Sequence, residues 1–227
     1  MASTPAQSRL RPSLGRPRDP ALPARRRAQI LAAATRVFAR RGFAATDLQD
    51  VADVLKVGKG TLYRYFPSKV ELFQAAVDDV MVRMRATIDQ AADEQADPLE
   101  KISAAISAYL RFFHDHPSYV ELLIQERAAF RDRKKPTYFV YREANAERWR
   151  DLYRNLIRQG RIRDIPTDRI TDMLGDIIYG TMFTNYIAGR KRSLVEQAAE
   201  IVDFVFFGLL TPGERSRRGN PTGGHTS

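Results

Sequence analysis

The stretch from residue 58 to residue 69, GKGTLYRYFPSK, constrains the fold more than any other part of the sequence. At about 100° per residue, Leu62 and Phe66 lie on one side of a short helix and Arg64 on the opposite side. So short a helix is not stable alone, because nucleation costs more than its few hydrogen bonds return. We therefore expect Leu62 and Phe66 to anchor it to a larger core, with a basic and aromatic face presented to nucleic acid.

The segments on either side of this stretch are typical of amphipathic helices. Residues 24–41 carry apolar residues at helical spacing and precede Gly42, and a capping box that opens with Thr46 is expected to begin a second helix. Residues 56–58 separate it from the third helix, and Ser68 is expected to cap a long fourth helix through about residue 90. Two short helices joined by a three-residue turn and braced by a first helix describe a helix-turn-helix.

Charge is distributed unevenly along the chain. Residues 1–69 contain 14 Lys and Arg against four Asp and Glu, whereas residues 70–227 contain 23 of each, so the whole net charge of +10 lies in the first third. A basic excess confined to one segment is typical of a protein that binds a polyanion. The alternative is an Arg-rich tail without a partner, which would explain residues 1–27 but not residues 58–69.

The composition divides the chain into four segments. Residues 1–23 lack periodicity and are predicted to be a disordered basic tail. Within it, Gly15-Arg16-Pro17 resembles a minor-groove hook, although a tail that only aids solubility is the preferred interpretation. Residues 24–69 are expected to form the helix-turn-helix domain, 70–210 a helical ligand-binding and dimerisation domain, and 211–227 a second disordered tail.

The larger domain shows only helical periodicity. From residue 97 to residue 210 nothing alternates with period two, and five further helices are predicted at about 97–114, 116–130, 137–159, 166–188 and 193–207. With the first four, they give an all-α protein of about nine helices, in which a three-helix helix-turn-helix domain precedes a helical bundle.

Residues 28–75 resemble the DNA-binding domain of the tetracycline-repressor (TetR/AcrR) family of bacterial transcription regulators. The family usually has Gly where Lys56 stands and Ser where Gly58 stands. A Lys in a left-handed helix cap costs about 1 kcal/mol, because its Cβ crowds the next carbonyl. The resemblance rests on residues 59–69 above all, and on Ile30-Leu31-Ala32-Ala33-Ala34, Phe38, Gly42-Phe43, Thr46, Val51-Ala52 and Leu72-Phe73.

The resemblance implies DNA contacts for a set of residues in and around the third helix. Positions that begin a helix attract phosphate through free backbone N–H groups, a phenol contacts phosphate through its hydroxyl, and side chains of the third helix meet base edges in the major groove. A cap, a core residue or a solvated lysine is the alternative role at several of these positions. The residues with implied phosphate contacts are Thr46, Tyr65 and Lys69. The residues with implied base contacts are Gln49, Lys59, Gly60, Thr61 and Tyr63, and Arg64 lies at a variable position whose target stays open.

Aromatic residues are dense in the larger domain, and helical bundles place ligand sites between helices lined by such side chains. The resemblance implies a regulatory pocket for a small-molecule effector, whose identity the sequence does not reveal. For each aromatic residue a place in the core is the alternative. The predicted lining residues are Phe113, Trp149, Tyr153, Tyr179 and Phe183.

The last two predicted helices suggest a homodimer. The final helix is apolar on more than one side, which is typical of a helix buried on more than one side, and glycines interrupt the preceding helix. In the family these helices form a four-helix interface with their symmetry mates, and the alternative is a core helix of a single chain. The predicted interface residues are Gly175, Ile178, Val202, Val205 and Phe206.

Several other classes are not expected. The sequence has no Cys, so it has no disulfide or Cys-based zinc site, and no run of about 18 apolar residues that would span a membrane. His114 and His116 are two positions apart and do not share a helix face, so no metal site is predicted. No phosphate-binding loop or nucleophile motif is present, so neither an enzyme nor a cofactor is expected.

The whole pattern predicts a cytoplasmic, dimeric transcriptional regulator, most simply a repressor that leaves its double-stranded DNA operator when a ligand binds. One alternative is a ligand-independent nucleoid-associated or architectural DNA-binding protein. Another is an all-α enzyme with an incidental basic arm, for which the sequence offers no catalytic cluster.

Overall fold

The computed structural model describes residues 21–190 and 192–207. Within these residues all regular structure is helical and forms nine helices, which confirms the predicted all-α class. Residues 1–20 and 211–227 of the predicted tails, the segment Gly15-Arg16-Pro17 and residues 208–210 lie outside the described residues. Leu22 and Pro23, which the prediction placed in the N-terminal tail, belong to the first helix, so this boundary of the prediction is wrong. The helices are α1 Leu22–Arg41, α2 Leu48–Leu55, α3 Lys59–Tyr63, α4 Lys69–Asp93, α5 Pro98–Asp115, α6 Pro117–Ala129, α7 Thr137–Arg158, α8 Thr167–Ala188 and α9 Leu194–Phe207.

The start of α2 differs from the prediction by one residue. Asp47, not Thr46, is the N-cap: its carboxylate accepts the Gln49 N–H, and Asp50 accepts the Asp47 N–H in return. Thr46 is buried, and its hydroxyl donates to the Gly42 carbonyl at 2.7 Å. The prediction that Thr46 caps α2 is therefore wrong, because a complete carboxylate capping box forms one residue later.

The anchoring of α3 agrees with the sequence pattern. Leu62 is fully buried and Phe66 is 3% exposed, although α3 itself ends at Tyr63 and the chain reaches Phe66 through a turn. Ser68 caps α4 by accepting the Glu71 N–H, as expected. The short helix is thus held between the core and the start of α4.

The remaining helices follow their predicted boundaries closely. Asp97 caps α5 by accepting the N–H groups of Leu99 and Glu100, and Pro117 begins α6. Gly160, with φ 67°, stands just after α7, where the backbone turns left-handed and a side chain would be strained. These signals act within a few residues, which is why the sequence alone locates them.

The fold is organised around α4, which packs against α1, α5, α6 and α7, while α8 and α9 pack on α5. A cluster of four phenylalanines joins α1, the loop after it, α4 and α6. The Phe38 and Phe73 ring centroids lie 5.0 Å apart, and those of Phe43 and Phe130 lie 5.1 Å apart. The proposed helix-turn-helix domain therefore shares one continuous core with the helical bundle.

A buried carboxylate holds the connection between α6 and α7. Glu126 is 2% exposed and accepts hydrogen bonds from the Thr137 N–H and hydroxyl and, at 2.7 Å, from Arg133. Because the carboxylate is satisfied by three donor groups, its burial is compatible with a stable fold.

Candidate nucleic-acid interface and internal cavity

The turn between α2 and α3 has the left-handed conformation expected at Lys56. Lys56 has φ 53° and ψ 46°, and it is the only non-glycine residue with positive φ in the described part of the chain. Its N–H donates to the carbonyls of Ala52 and Asp53 at the end of α2. Gly58 is the N-cap of α3 and offers no side-chain hydrogen bond. The turn thus fixes the direction of α3 relative to α2.

The solvent side of α3 carries the predicted base-reading residues. Tyr63 is 47% exposed, Gly60 and Arg64 are exposed, and Thr61 is partly buried. Nothing lies within 4 Å of where a Cβ would stand at Gly60, so the backbone there is open to close approach. The Arg64 guanidinium lies 5.5 Å from the ring centre of Tyr65. Gly60, Tyr63 and Arg64 are thus accessible from the solvent.

Lys59 makes an ion pair that the sequence analysis did not predict. Its Nζ lies 2.8 Å from Asp47 Oδ1 and 6.0 Å from the Tyr63 ring centre. The Lys59 hydrogen bond lowers the pKa of the Asp47 carboxyl, and the same bond raises the pKa of Lys59. The pair uses one of the three ammonium N–H groups of Lys59, so the other two can still donate to another acceptor. The signal for the pair was the Asp at the α2 cap, twelve residues before Lys59.

The other predicted contacts of α2 have different environments. Gln49 is exposed, and its Nε2 donates to Asp53 Oδ1 at 2.7 Å, so its amide lies along the α2 surface. Thr46 is buried, so its hydroxyl does not reach the surface. The N–H groups of Asp47 and Gln49 are already bonded to carboxylates, which weakens the attraction of this helix end for phosphate.

Lys69, a predicted phosphate contact, is partly buried and donates hydrogen bonds within the domain. Its Nζ donates to the carbonyl oxygens of Phe43 and Ala44 at 2.9 and 3.2 Å and lies 4.7 Å from the Phe43 ring centre. The lysine therefore ties the start of α4 to the loop between α1 and α2. No local sequence signal predicts this role, because its acceptors stand 25 and 26 residues earlier.

A cavity of about 130 Å³ lies between α4, α5, α7 and α8. Two of the five predicted ligand contacts, Trp149 and Tyr153, line it. Tyr179 instead lines a second cavity of about 300 Å³ beside the connection between α6 and α7. Phe183 packs on Tyr179 with ring centres 4.7 Å apart, and Phe113 is buried against Tyr109; neither lines either cavity.

The predicted dimer contacts also separate into two groups. Gly175 and Ile178 line the smaller cavity, and Arg142 covers Gly175 so closely that an added Cβ would stand 2.6 Å from the guanidinium carbon. In α9, Val202 and Phe206 pack partly against the core, and Val205 is half-buried. Large apolar side chains that face solvent on α8 and α9 are Met173, Ile187, Val195, Phe204 and Phe207.

Two observations concern other classes of site. His116 Nδ1 lies 2.9 Å from the Phe112 carbonyl, and its ring stacks on Tyr119 at 4.6 Å, so it belongs to a helix junction. Across residues 21–190 and 192–207, no three potential metal ligands cluster, and no helix combines the length and apolar character needed to cross a bilayer.

Comparison with known proteins identifies relatives of both halves of the chain. Residues 30–76 match the family described as bacterial regulatory proteins, tetR family, and residues 95–182 match a tetracyclin repressor-like C-terminal domain. The transcriptional repressor KstR2 of Mycolicibacterium smegmatis is 28% identical over 70% of this chain and 79% of its own. The transcriptional activator FasR of the same organism is 35% identical over 48% of this chain and 51% of its own.

Solved structures show the same fold. The transcriptional regulator FadR from Bacillus subtilis, crystallised in complex with stearoyl-CoA, superposes with a TM-score of 0.69 at 18% identity. The superposition covers 81% of this chain and 99% of that chain.

Proposed function

The chain belongs to the TetR family of bacterial regulatory proteins, and we propose that it is a cytoplasmic, homodimeric transcriptional repressor that a small-molecule ligand releases from its DNA operator. The family consists of regulators rather than enzymes. The observation that carries the proposal is the surface at α3, where Lys59, Gly60, Tyr63 and Arg64 lie side by side above a buried Leu62 anchor.

Each proposed DNA contact has a geometric basis. Lys59 and Tyr63 read base edges, and Gly60 admits the close approach of the DNA because nothing surrounds its Cβ position. Tyr65 binds phosphate through its hydroxyl, and Gln49 reads a base after releasing Asp53. Lys69 acts on DNA mainly through the position of the loop that it braces, since its ammonium already donates to two carbonyls.

Dimerisation through α8 and α9 is supported by their exposed apolar side chains. Met173, Ile187 and Val195 are each at least 60% exposed, and a group of exposed apolar side chains on the last two helices is a candidate protein–protein interface. Gly180 has open space around its Cβ position, so a partner helix can approach α8 closely there. Two recognition helices related by a twofold axis would reach successive major grooves about 34 Å apart.

The effector is proposed to occupy the cavity between α4, α5, α7 and α8. This cavity touches α4, which begins directly after the helix-turn-helix, and α8, which belongs to the proposed interface. A ligand that binds better to the conformation with poor DNA affinity shifts the population toward that conformation and releases the operator. A FadR structure holds an acyl-CoA, which supports a ligand-binding role for this fold.

The direct test begins by selecting bound fragments from a genomic library and measuring affinity for the enriched sequence. Lys59→Met should weaken binding about tenfold and lower the slope of log affinity against log salt by about 1. Lys135→Met is the matched control, because Lys135 also pairs with an exposed carboxylate, that of Glu143. Tyr63→Ala should reduce the difference in affinity between the enriched sequence and other DNA sequences. Unchanged binding in both Lys59→Met and Tyr63→Ala would contradict the proposed interface, and enrichment of no defined sequence would favour an architectural DNA-binding protein.

A further inference from the structure

The α7 wall of the smaller cavity carries three polar side chains at successive turns. Asn145, Trp149 and Tyr153 follow each other at spacings of four residues and all line the cavity. Residues four apart on a helix are neighbours on one face, so these side chains form a single row. From Asn145 to Tyr153 the row extends over about 12 Å of helix.

Asn145 holds an unpaired acceptor in this row. Its Nδ2 donates to the Tyr141 carbonyl at 2.7 Å, and its Oδ1 is buried without a hydrogen-bond partner. Reversing the amide would place Oδ1 against that carbonyl, so the observed orientation is the favourable one. An unpaired buried acceptor destabilises a folded protein, and such groups therefore call for an explanation in the function of the site. A guest in the cavity that donates a hydrogen bond would satisfy it.

Tyr153, at the other end of this row, carries a hydrogen-bond donor, its hydroxyl. It is 3% exposed, and its hydroxyl makes no hydrogen bond to any residue between 21 and 207 that the structure describes. Burial raises the pKa of this hydroxyl well above its ordinary value, so it stays neutral and keeps its proton to donate. A guest with an acceptor at this end would pair with it.

The charged residues of the lining are already neutralised. Each of them contacts an opposite charge, so a charged guest would find no unpaired counter-ion among them. Most of the remaining lining consists of apolar and aromatic side chains. The pairs are Arg85 with Asp89, Asp89 with Arg148, and Arg142 with Asp176.

We infer that this cavity binds an uncharged, elongated, largely apolar molecule that donates a hydrogen bond to Asn145 and accepts one from Tyr153. The inference rests on the proposed function, since it gives the chemical class of the effector. Trp149 supplies an aromatic platform between the two polar groups. The effector is thus selected by a hydrogen-bonding group at each end and not by charge.

Three probes with the same apolar body test this inference: biphenyl, para-hydroxybiphenyl and para,para′-dihydroxybiphenyl. Trp149 is the only tryptophan of the chain and lines the cavity, so quenching of its fluorescence reports occupancy without any DNA. Each added hydroxyl should tighten binding roughly 3- to 10-fold, as expected for one neutral hydrogen bond. If none of the probes quenches Trp149, or if the hydroxyls do not tighten binding, the inference is wrong.

Two variants assign the preference to its residues. Asn145→Leu should bind biphenyl at least as well as the parent protein but lose one step of the hydroxyl preference. Tyr153→Phe should lose the other step and leave the first. Asn155→Leu, on α7 but outside the cavity lining, is the control and should keep both steps. Equal hydroxyl preference in all variants would overturn the inference. If Asn145→Leu folds poorly, Tyr153→Phe, a small change, still tests the inference on its own.

The same probes separate this inference from the proposed function. Operator affinity is measured with and without para,para′-dihydroxybiphenyl at saturation. Selective binding without loss of operator affinity would leave the ligand class standing and contradict ligand-induced release. Release of the operator by biphenyl and by the diol at equal occupancy and equal affinity would support the proposed function and overturn the ligand class.

Discussion

Gln125 on α6 donates a hydrogen bond from its Nε2 to the carbonyl oxygen of Phe38, in the last turn of α1, over 3.0 Å. The same Nε2 lies 2.9 Å from Glu121 Oε1, and Glu121 Oε2 accepts the hydroxyl of Tyr186 near the end of α8. A chain of hydrogen bonds therefore links α8 through α6 to α1. Both α1 and α6 also pack against α4, which begins directly after the helix-turn-helix.

Removing the Gln125 side chain from this chain of hydrogen bonds should destabilise α1. We expect Gln125→Ala to lower the free energy of unfolding by about 1 kcal/mol and to speed amide hydrogen exchange in α1 more than in α7. The loss stays small because the Gly42 N–H also donates to the Phe38 carbonyl. Gln90→Ala, which removes a surface bond within α4, is the control. Equal exchange rates in α1 for the two variants would show that the chain carries no coupling.

The left-handed residue between α2 and α3 should be a source of strain. Lys56→Gly should raise the free energy of unfolding by about 1 kcal/mol, because glycine has no Cβ to crowd the following carbonyl. Lys56→Ala removes the charge but keeps the Cβ, so it should give no such gain. Urea unfolding measures both. A gain of the same size in Lys56→Ala would assign the effect to charge and not to backbone strain.

The Glu126 carboxylate should be important for the connection between α6 and α7. In Glu126→Gln the new amide N–H₂ faces donors on Thr137, so we expect a loss of about 2 kcal/mol from unsatisfied buried groups. Glu143→Gln is the matched control: its carboxylate is 61% exposed and pairs with Lys135, so the cost should be below about 1 kcal/mol. Similar thermal midpoints for the two variants would contradict the proposed role of Glu126 in holding the connection between α6 and α7.

Alkaline pH should destabilise the bundle through Tyr138. Burial raises the pKa of this hydroxyl to about 12, whereas in the unfolded chain it is about 10. The folded protein therefore holds the proton more tightly, and this contribution is fully present below pH 10 and lost as the pH rises to about 12. The free energy of unfolding should fall by at most about 3 kcal/mol through this group. Tyr109, its hydrogen-bond partner, titrates in the same direction.

The measurement is the free energy of unfolding at pH values from 8 to 11 for the parent protein and Tyr138→Phe. The variant should show a shallower decline above pH 10. Its fold should survive, because the Tyr109 hydroxyl keeps a contact with the Met182 sulfur. Tyr63→Phe, at an exposed site, should follow the parent curve. Parallel curves for Tyr138→Phe and the parent would contradict this prediction.

The sequence by itself determined the order, number and approximate ends of the helices. Caps such as Ser68 and Asp97, and the anchor pair Leu62 and Phe66, depend on residues within one or two turns of each other. A left-handed cap at Lys56 was implied only by the family resemblance, in which Gly is usual at this position, and the backbone of Lys56 has φ 53°. At the start of α2, Thr46 and Asp47 are both residue types that cap helices. The prediction named Thr46, whereas Asp47 is the N-cap.

Only the tertiary structure decided what the individual side chains of the candidate sites touch. Lys59 meets Asp47 twelve residues away, and Lys69 reaches the carbonyls of residues 43 and 44, because the loop and the start of α4 are packed together. Gly175 lines the cavity because α8 packs against Arg142 of α7. Helical periodicity tells which side of a helix is apolar, but not which neighbour covers that side, since this depends on packing between helices distant in the chain.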